Sequence, residues 1–422
     1  MAGSLQSLCF RSPATVSLPS RRWNPHFQSS IPPISGSSVV LKHHPSLLHL
    51  KPRWSSPSIR AGERSAQTDG NDDGSRCASN WVKPLLTFAS NNFLPLALVS
   101  GVALGLANPN LGCLADRFYL SKFSTFGIFL ISGLMLRGGE IGAAAEAWPV
   151  GIFGLGSILL FTPFFSRLFL QFKIQPQEFV TGLAIFSCMP TTLSSGVALT
   201  QLAGGNSALA LAMTVISNLL GILIVPFSIS KFIADGVGVS VPTKQLFKSL
   251  VVTLLIPLIL GKVFRESIKG VADFVDQNRK ALSMISAICL SLVPWIQVSK
   301  SRSLLLMVKP AVFLVAIGMG LLLHLMLLAF NILAVQSLSA VSGGSKSLFA
   351  NKQNASALVL VASQKTLPVM VAVVDQLGGA FGESGLLVLP CVAAHLNQII
   401  TDSILVNFWL QEGRYSNNAR IA

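Results

Sequence analysis

Ten runs of apolar residues, separated by short polar stretches, divide the chain after residue 90. They cover roughly residues 93–107, 123–136, 148–170, 179–202, 208–229, 250–264, 281–298, 311–335, 355–374 and 386–410. Only helices and closed barrels satisfy every backbone polar group inside a bilayer. The runs lack the alternation that barrel strands show. The pattern therefore predicts an all-α integral membrane protein with about ten transmembrane helices.

The ninth run contains the polar stretch S-Q-K-T-L-P, from Ser363 to Pro368. Proline has no N–H to donate and disrupts the preceding helical turn, so we expect this helix to break near the middle of the membrane. An ionisable side chain at that depth marks a functional site by default. Lys365 and Thr366 are therefore candidates for substrate binding or ion coupling. The alternative for Lys365 is a side chain that extends to the membrane surface.

The fourth run contains a second break, C-M-P-T-T-L-S-S-G, centred on Pro190. Its hydroxyls make Thr191, Thr192 and Ser194 candidates for substrate or coupling contacts. Hydroxyl, amide and carbonyl oxygens suit a hard cation such as sodium, and the candidate sodium ligands are Ser195, Thr214, Asn218 and Gln364. Small hydroxyl residues also allow close helix packing, and this alternative stays open for each single residue.

The two halves of the membrane region resemble each other. Pro190 and Pro368 are 178 residues apart, and Asn218 and Asn397 are 179 apart. Similar Gln-Leu and Gly-Gly segments follow both breaks. Because five helices is an odd number, a second copy inserts upside down, and paired broken helices in inverted halves are typical of secondary transporters. Coincidence among Gly, Ala and Leu is the alternative.

The tenth run adds Asn397 and Asp402 as candidate coupling residues. We consider a contact in which Asp402 neutralises Lys365, and a purely structural ion pair is as reasonable as a coupling role. The predicted repeats cover residues 85–229 and 245–411, followed by a polar tail, 412–422.

Composition supports the membrane assignment, since 51% of the 422 residues are hydrophobic and 11% are charged, against about 25% charged in soluble domains. Residues 1–60 hold fourteen Ser and seven Lys/Arg but no Asp or Glu. This composition is typical of organelle transit peptides. Ile59-Arg60-Ala61 favours a chloroplast peptide over 1–60, with a disordered mature N-terminus over 61–84. A disordered cytosolic tail is the alternative.

Other functional classes have little support. The net charge of +15 comes without a basic patch interleaved with aromatics, so nucleic-acid binding is not expected. The six cysteines have no metal-binding spacing, and no hydrolase or nucleotide-binding motif occurs. We expect no enzyme activity and no cofactor, with sodium as a candidate coupling ion. The oligomeric state stays open.

The motifs P-T-T-L-S-S-G (Pro190–Gly196) and S-Q-K-T-L-P (Ser363–Pro368), in a chain with ten apolar runs, resemble the bile acid/sodium symporter family. The resemblance is to the branch that includes bacterial proteins, vertebrate member seven and plant chloroplast members, and it covers residues 85–411. It implies two inverted five-helix repeats, a core in which broken helices four and nine cross, and a panel beside it. It also implies sodium sites on helices four, five and nine.

These observations predict a secondary transporter of a small organic anion at the chloroplast envelope, specifically its inner membrane. The family places a sodium-binding glutamate near Gln364, and this chain has no carboxylate there. Coupling to sodium, to protons or to no ion therefore stays open. The alternative function is a non-transporting membrane regulator of ion homeostasis that retains the fold.

Overall fold

The computed structural model of the protein describes residues 93–137 and 146–421, with side chains as far as Glu412. The predicted transit peptide (1–60) and mature N-terminus (61–84) lie outside the described residues. The described residues are mainly helical and include no strand, as expected. The segment predicted as a polar tail continues the last helix as far as Ile421.

The helices vary in length from 6 to 38 residues. In chain order they are α1 (Phe93–Ala107), α2 (Pro109–Arg117), α3 (Leu120–Met135), α4 (Trp148–Phe169), α5 (Gln177–Ser187), α6 (Ser195–Leu202), α7 (Ser207–Val237), α8 (Thr243–Ser267), α9 (Val271–Gln277), α10 (Arg279–Lys300), α11 (Arg302–Met307), α12 (Pro310–Val341), α13 (Lys352–Ser363), α14 (Leu367–Leu377) and α15 (Ser384–Ile421).

Within the described ranges, seven spans are long and apolar enough to cross a membrane: α4, α7, α8, α10, α12, α13 with α14, and α15. An eighth is added if α1 and α2, bent by 102° at their junction, count as one span. The structure therefore supports a helical protein with several membrane spans. It does not confirm the predicted count of ten. Helix α3 has 16 residues, and the fourth run is divided between α5 and α6.

The helices form two packing groups. Helices α1, α2, α3, α8 and α10 contact one another and are called the panel group here. Helices α4 to α7 and α12 to α15 form the second group, called the core group. The groups meet where α10 packs on α15 and where α8 packs on α7.

The span made by α13 and α14 is completely enclosed by other helices, since its whole apolar window is buried. Outer helices instead expose large apolar side chains such as Phe227 and Leu314. Irregular backbone is tolerated at membrane depth only where protein or a water-filled cavity surrounds it. The burial of α13 and α14 therefore allows the chain to leave the helical conformation between them.

Side chains of α8 satisfy the carbonyl groups at the end of α3. Lys262 donates to the carbonyl of Leu136 at 3.1 Å, and Arg265 donates to the carbonyl of Leu134 at 2.9 Å. Arg265 also pairs with Asp276 at 2.8 Å. Hydrogen bonding from Arg265, with a further contribution from Arg137, lowers the pKa of the Asp276 carboxyl. These contacts fix the position of the α3 end.

Two glycines bring the backbones of α3 and α8 into direct contact. A Cβ atom placed on Gly261 would lie 2.2 Å from the carbonyl oxygen of Leu130. A Cβ atom on Gly133 would lie 2.1 Å from the carbonyl oxygen of Leu258. Small residues of this kind let membrane helices approach closely enough for extensive van der Waals contact.

We expect Gly261→Ala to destabilise the protein by about 1–3 kcal/mol, because the added methyl group meets backbone that cannot rotate away. The measurement is the thermal unfolding midpoint of the purified protein in detergent. Gly318→Ala is the matched control, since a Cβ atom there has no neighbour within 4 Å. Equal midpoints for the two variants would contradict the close approach of α3 and α8.

Candidate functional site

The first break is a non-helical stretch from Cys188 to Ser194, between α5 and α6. Although Pro190 has no N–H to donate, the carbonyl of Phe186 four residues back stays paired, because the N–H of Met189 donates to it at 3.1 Å. The carbonyls that the break does expose are those of Met189 and Pro190. Both accept hydrogen bonds from the second break.

The second break consists of Gln364, Lys365 and Thr366. Gln364 and Thr366 have extended backbone, with φ/ψ of −83°/151° and −88°/126°. Pro368 lies in the first turn of α14. Because the N–H groups of a first turn have no helical partner, proline costs no hydrogen bond there. Pro368 thus starts the second half-helix, and the extended residues before it form the break.

The two breaks cross and satisfy each other's backbone groups. The N–H of Thr366 donates to the carbonyl of Pro190 at 2.9 Å. In the other direction, the Thr191 hydroxyl donates to the carbonyl of Val361. Unpaired backbone groups are costly in a low-dielectric interior. Neither break can therefore change its backbone without removing hydrogen bonds from the other.

Gln364 connects both breaks to a buried carboxylate. Its Oε1 atom accepts from the hydroxyls of Thr192 at 2.5 Å and Ser195 at 2.8 Å. Its Nε2 group donates to Asp402 at 2.6 Å. The side-chain oxygen, proposed from sequence as a sodium ligand, is thus occupied by two hydroxyl donors in this state.

Asp402 pairs with His324 and not with Lys365. His324 Nε2 lies 2.8 Å from Asp402 Oδ1, and the other ring nitrogen lies 3.3 Å from the carbonyl of Ser363. Both ring nitrogens therefore face oxygen atoms. In the part of the chain that the structure describes, no carboxylate is within salt-bridge distance of Lys365. The contact considered from sequence is not made.

The Lys365 ammonium group is enclosed by neutral oxygen acceptors. It is 1% exposed and donates to the carbonyls of Ile158 at 3.1 Å and Met189 at 2.9 Å, and to the Thr162 hydroxyl at 2.6 Å. Its peptide group is held by the Gln398 side chain, which exchanges two hydrogen bonds with it. Lys365 therefore neither reaches the membrane surface nor faces a cavity.

A π-helical turn in α4 supplies one of these acceptors. The N–H of Thr162 bonds to the carbonyl of Ser157, five residues back, at 3.0 Å. The following residue is Pro163, which has no N–H. The carbonyl of Ile158 therefore loses both of its usual backbone donors, and Lys365 and the Thr162 hydroxyl donate to it instead. Such turns occur often at functional sites.

A cavity of about 690 Å³ separates the first break and α7 from the panel group. Its core-group wall includes the polar residues Thr192, Ser194, Ser195, Thr214, Asn218, Thr366 and His395. Three buried oxygen atoms on this wall, Thr214 Oγ1, Asn218 Oδ1 and Thr366 Oγ1, have no hydrogen-bond partner among the described residues. Since buried polar atoms are nearly always paired, these three atoms are candidates for contact with a transported solute.

Most of the residues predicted from sequence belong to one connected region. Thr191 lies at the crossing, behind Asn218, whose amide donates to its carbonyl at 3.0 Å. Asn397 does not join them, because its amide donates to the carbonyl of Ile317 on α12. The sequence analysis did not single out Thr162, Gln398 or His324 as candidates. The Thr-Pro pair at 162–163 and a histidine inside the eighth run were the available signals.

Comparison with known proteins identifies the family. The model of the SBF-like CPA transporter family matches residues 91–411. A protein of Arabidopsis thaliana named probable sodium/metabolite cotransporter BASS4, chloroplastic, is 68% identical over 346 residues, covering 82% of this chain and 79% of the relative. A rice protein (Oryza sativa subsp. indica) of the same name is 66% identical over 336 residues, covering 80% and 79%.

More distant similarity extends to vertebrates. The sodium/bile acid cotransporter 7 of Xenopus tropicalis is 26% identical over 298 residues, covering 70% of this chain and 83% of the relative. The resemblance stated from the two break motifs is thereby confirmed.

We expect Lys365→Met to lower the thermal stability measurably, by about 1 kcal/mol or more, because the change removes the Lys365 donor from the buried carbonyl of Met189 and one of two donors from that of Ile158. The measurement is thermal unfolding in detergent. Lys352→Met, at the exposed start of α13, is the control and should leave the midpoint unchanged. A Lys365→Met protein as stable as this control would indicate that the ammonium group is held for ligand contact and not for the crossing.

Proposed function

This chain belongs to the SBF-like CPA transporter family, and from that premise we propose that it carries a small organic anion across the inner chloroplast envelope membrane by alternating access. The observation that carries the proposal is the pair of crossed breaks, beside a cavity of about 690 Å³ lined by three residues that carry unpartnered buried oxygen atoms. Ligand sites of this kind are concave, largely apolar and contain a few polar groups.

The proposed architecture is ten membrane crossings in two inverted repeats, residues 85–229 and 245–411. Helices α5, α6 and α7 correspond to α13, α14 and α15, each set consisting of two half-helices and a long helix. Glycines with positive φ follow both α6 and α14, at Gly204 and Gly378. The reciprocal hydrogen bonds at the crossing support a two-fold relation between the sets.

Sodium is the proposed coupling ion, as the names of the plant relatives suggest for those proteins. Thr214 and Asn218 lie one turn apart on α7 and present unpartnered oxygens beside the Ser195 hydroxyl and Thr366. Sodium binds oxygen ligands of this type, and unwound helices supply them in transporters. We assign Gln364 the role of orienting the Ser195 and Thr192 hydroxyls, which it already holds.

Alternating access requires the two groups to separate on the side that is closed here. The cavity extends along α6 and the start of α7, toward the end of the molecule that holds the start of α13. At the opposite end, side chains link the groups: Gln297 with Asp375, and Ser249 with Gln376. Opening that end while the cavity closes would move the solute past the crossing.

The test is uptake by liposomes containing the full chain. Labelled organic acids are screened with an inward sodium gradient, an inward proton gradient or no gradient. We expect accumulation of at least one acid above that in protein-free liposomes, with stimulation by sodium. No accumulation of any acid by demonstrably folded protein would contradict the proposal and leave the regulator as the remaining hypothesis.

Thr214→Val should reduce sodium-stimulated uptake at least about tenfold, because the isosteric change removes one oxygen ligand from the proposed ion site. A contact between a neutral polar group and a charged group is worth about 1.5–3 kcal/mol. Thr253→Val is the matched control, since Thr253 lies on α8 and outside the cavity wall. The readout is the sodium concentration for half-maximal uptake. An unchanged value in Thr214→Val would exclude this residue from the ion site.

The proposed location is tested by import. The full chain translated in vitro should be imported by isolated chloroplasts, shortened at its N-terminus and recovered with inner envelope membranes. Recovery with thylakoids or with the outer envelope would contradict the location while leaving transport untouched.

A further inference from the structure

The wall of the cavity that faces the breaks carries a cationic side chain. Helix α10 contributes Arg279, Ser283, Ser286, Ala287 and Leu290 to this wall. Successive positions in this set are one, three or four residues apart, so all five share one face of the helix. Arg279, the first residue of α10, therefore stands at the end of a stripe that leads along the wall.

Among the residues that the structure describes, Arg279 has no hydrogen-bond or ion-pair partner. Among the described residues, no carboxylate and no hydrogen-bond acceptor contacts its guanidinium group, although the side chain is partly buried. The other arginine of the cavity wall, Arg137, pairs with Asp276 at 3.0 Å. No Asp or Glu occurs among the described residues of the wall. Counting the described residues alone, the wall is thus cationic and the charge at Arg279 is uncompensated.

The charge at Arg279 is also accessible from outside the cavity. A second, smaller cavity of about 450 Å³ shares Arg279, Leu94, Met135, Ser283 and Ala287 with the first. Lys280 faces this outer cavity and does not line the inner one. Arg279 therefore stands where the outer cavity meets the inner one, and a solute that enters through the outer cavity passes it.

Apolar side chains also line the cavity whose wall includes Arg279 and the three residues with unpartnered oxygens. The lining includes Leu94, Ile128, Leu193, Val197, Leu211 and Leu290. A small inorganic anion would leave most of this surface without contact. The arrangement suits an organic molecule with one anionic group, an apolar body and a polar group at the far end.

We propose that Arg279 recognises the anionic group of the transported solute. This inference rests on the proposed transport function. It assigns anion recognition to the panel group, whereas sequence reasoning offered Lys365. All three hydrogen atoms of the Lys365 ammonium group are already donated to protein oxygens. A guanidinium group can hold a carboxylate or sulfonate through two parallel hydrogen bonds.

The experiment measures binding of two acids and their neutral counterparts by the purified full chain. The probes are hexanoate with hexanamide, and 4-hydroxybenzoate with 4-hydroxybenzamide, each titrated in a thermal-shift assay. A ligand that binds the native state raises the unfolding midpoint according to its affinity and concentration. The proteins are wild type, Arg279→Gln, Arg279→Lys and Lys280→Gln.

We expect the wild type to bind at least one acid tenfold or more tightly than its amide. Arg279→Gln should bring this ratio close to one. Arg279→Lys should give an intermediate ratio, because the charge stays and the second hydrogen bond is lost. Lys280→Gln should leave the ratio unchanged. An unchanged ratio in Arg279→Gln would overturn the inference. An equal loss in Lys280→Gln would also overturn it, by indicating a general positive field.

Two further outcomes separate this inference from the transport proposal. If the wild type binds neither acid but the liposome screen finds uptake of another anion, such as inorganic phosphate, the inference fails and transport stands. If the wild type binds an acid through Arg279 but no acid is accumulated by liposomes, the recognition site stands and the transport proposal fails.

Discussion

The hydrogen-bonded crossing of the two breaks is the contact on which the rest of this structure depends. A helix that breaks inside a bilayer leaves backbone groups with no water to satisfy them. Here the carbonyls exposed by Cys188–Ser194 accept from Thr366 and Lys365, and the hydroxyls of the same stretch donate to Val361 and Gln364. The enclosure of α13 and α14 and the polar wall of the cavity both follow from this exchange.

Much of this was predictable from the sequence because it depends on local chemistry. Apolar run lengths predicted the helices, and the polar stretches around Pro190 and Pro368 located both interruptions. The hydroxyls of Thr192 and Ser195 and the face shared by Thr214 and Asn218 also followed from spacing. The count of spans did not, since α3 is short and the fourth run is divided by seven non-helical residues.

Contacts between distant segments could not be predicted, and Lys365 illustrates why. Its position about ten residues into an apolar run indicated a functional role. The oxygen atoms that its ammonium group contacts are neutral and belong to residues 176 to 207 positions away in the sequence. The acceptor at Ile158 exists because of a π-helical turn, which apolar periodicity does not reveal. Asp402, the expected partner, is instead held by His324 and Gln364. Residue type indicated that these side chains matter, and only the fold determines which of them meet.

The contact between the backbones of α3 and α8 has a mechanical consequence. Where Gly133 and Gly261 bring the main chains together, no side chain lies between them that could rearrange, so we expect α3 and α8 to move together. The closed end, in contrast, is joined by the long side chains of Gln297 and Gln376, which can exchange partners by rotating. The boundary between the panel group and the core group is therefore easier to deform than either group. We expect lateral tension or an altered membrane thickness to act on that boundary first, and to shift the balance between the two states of the proposed transport cycle.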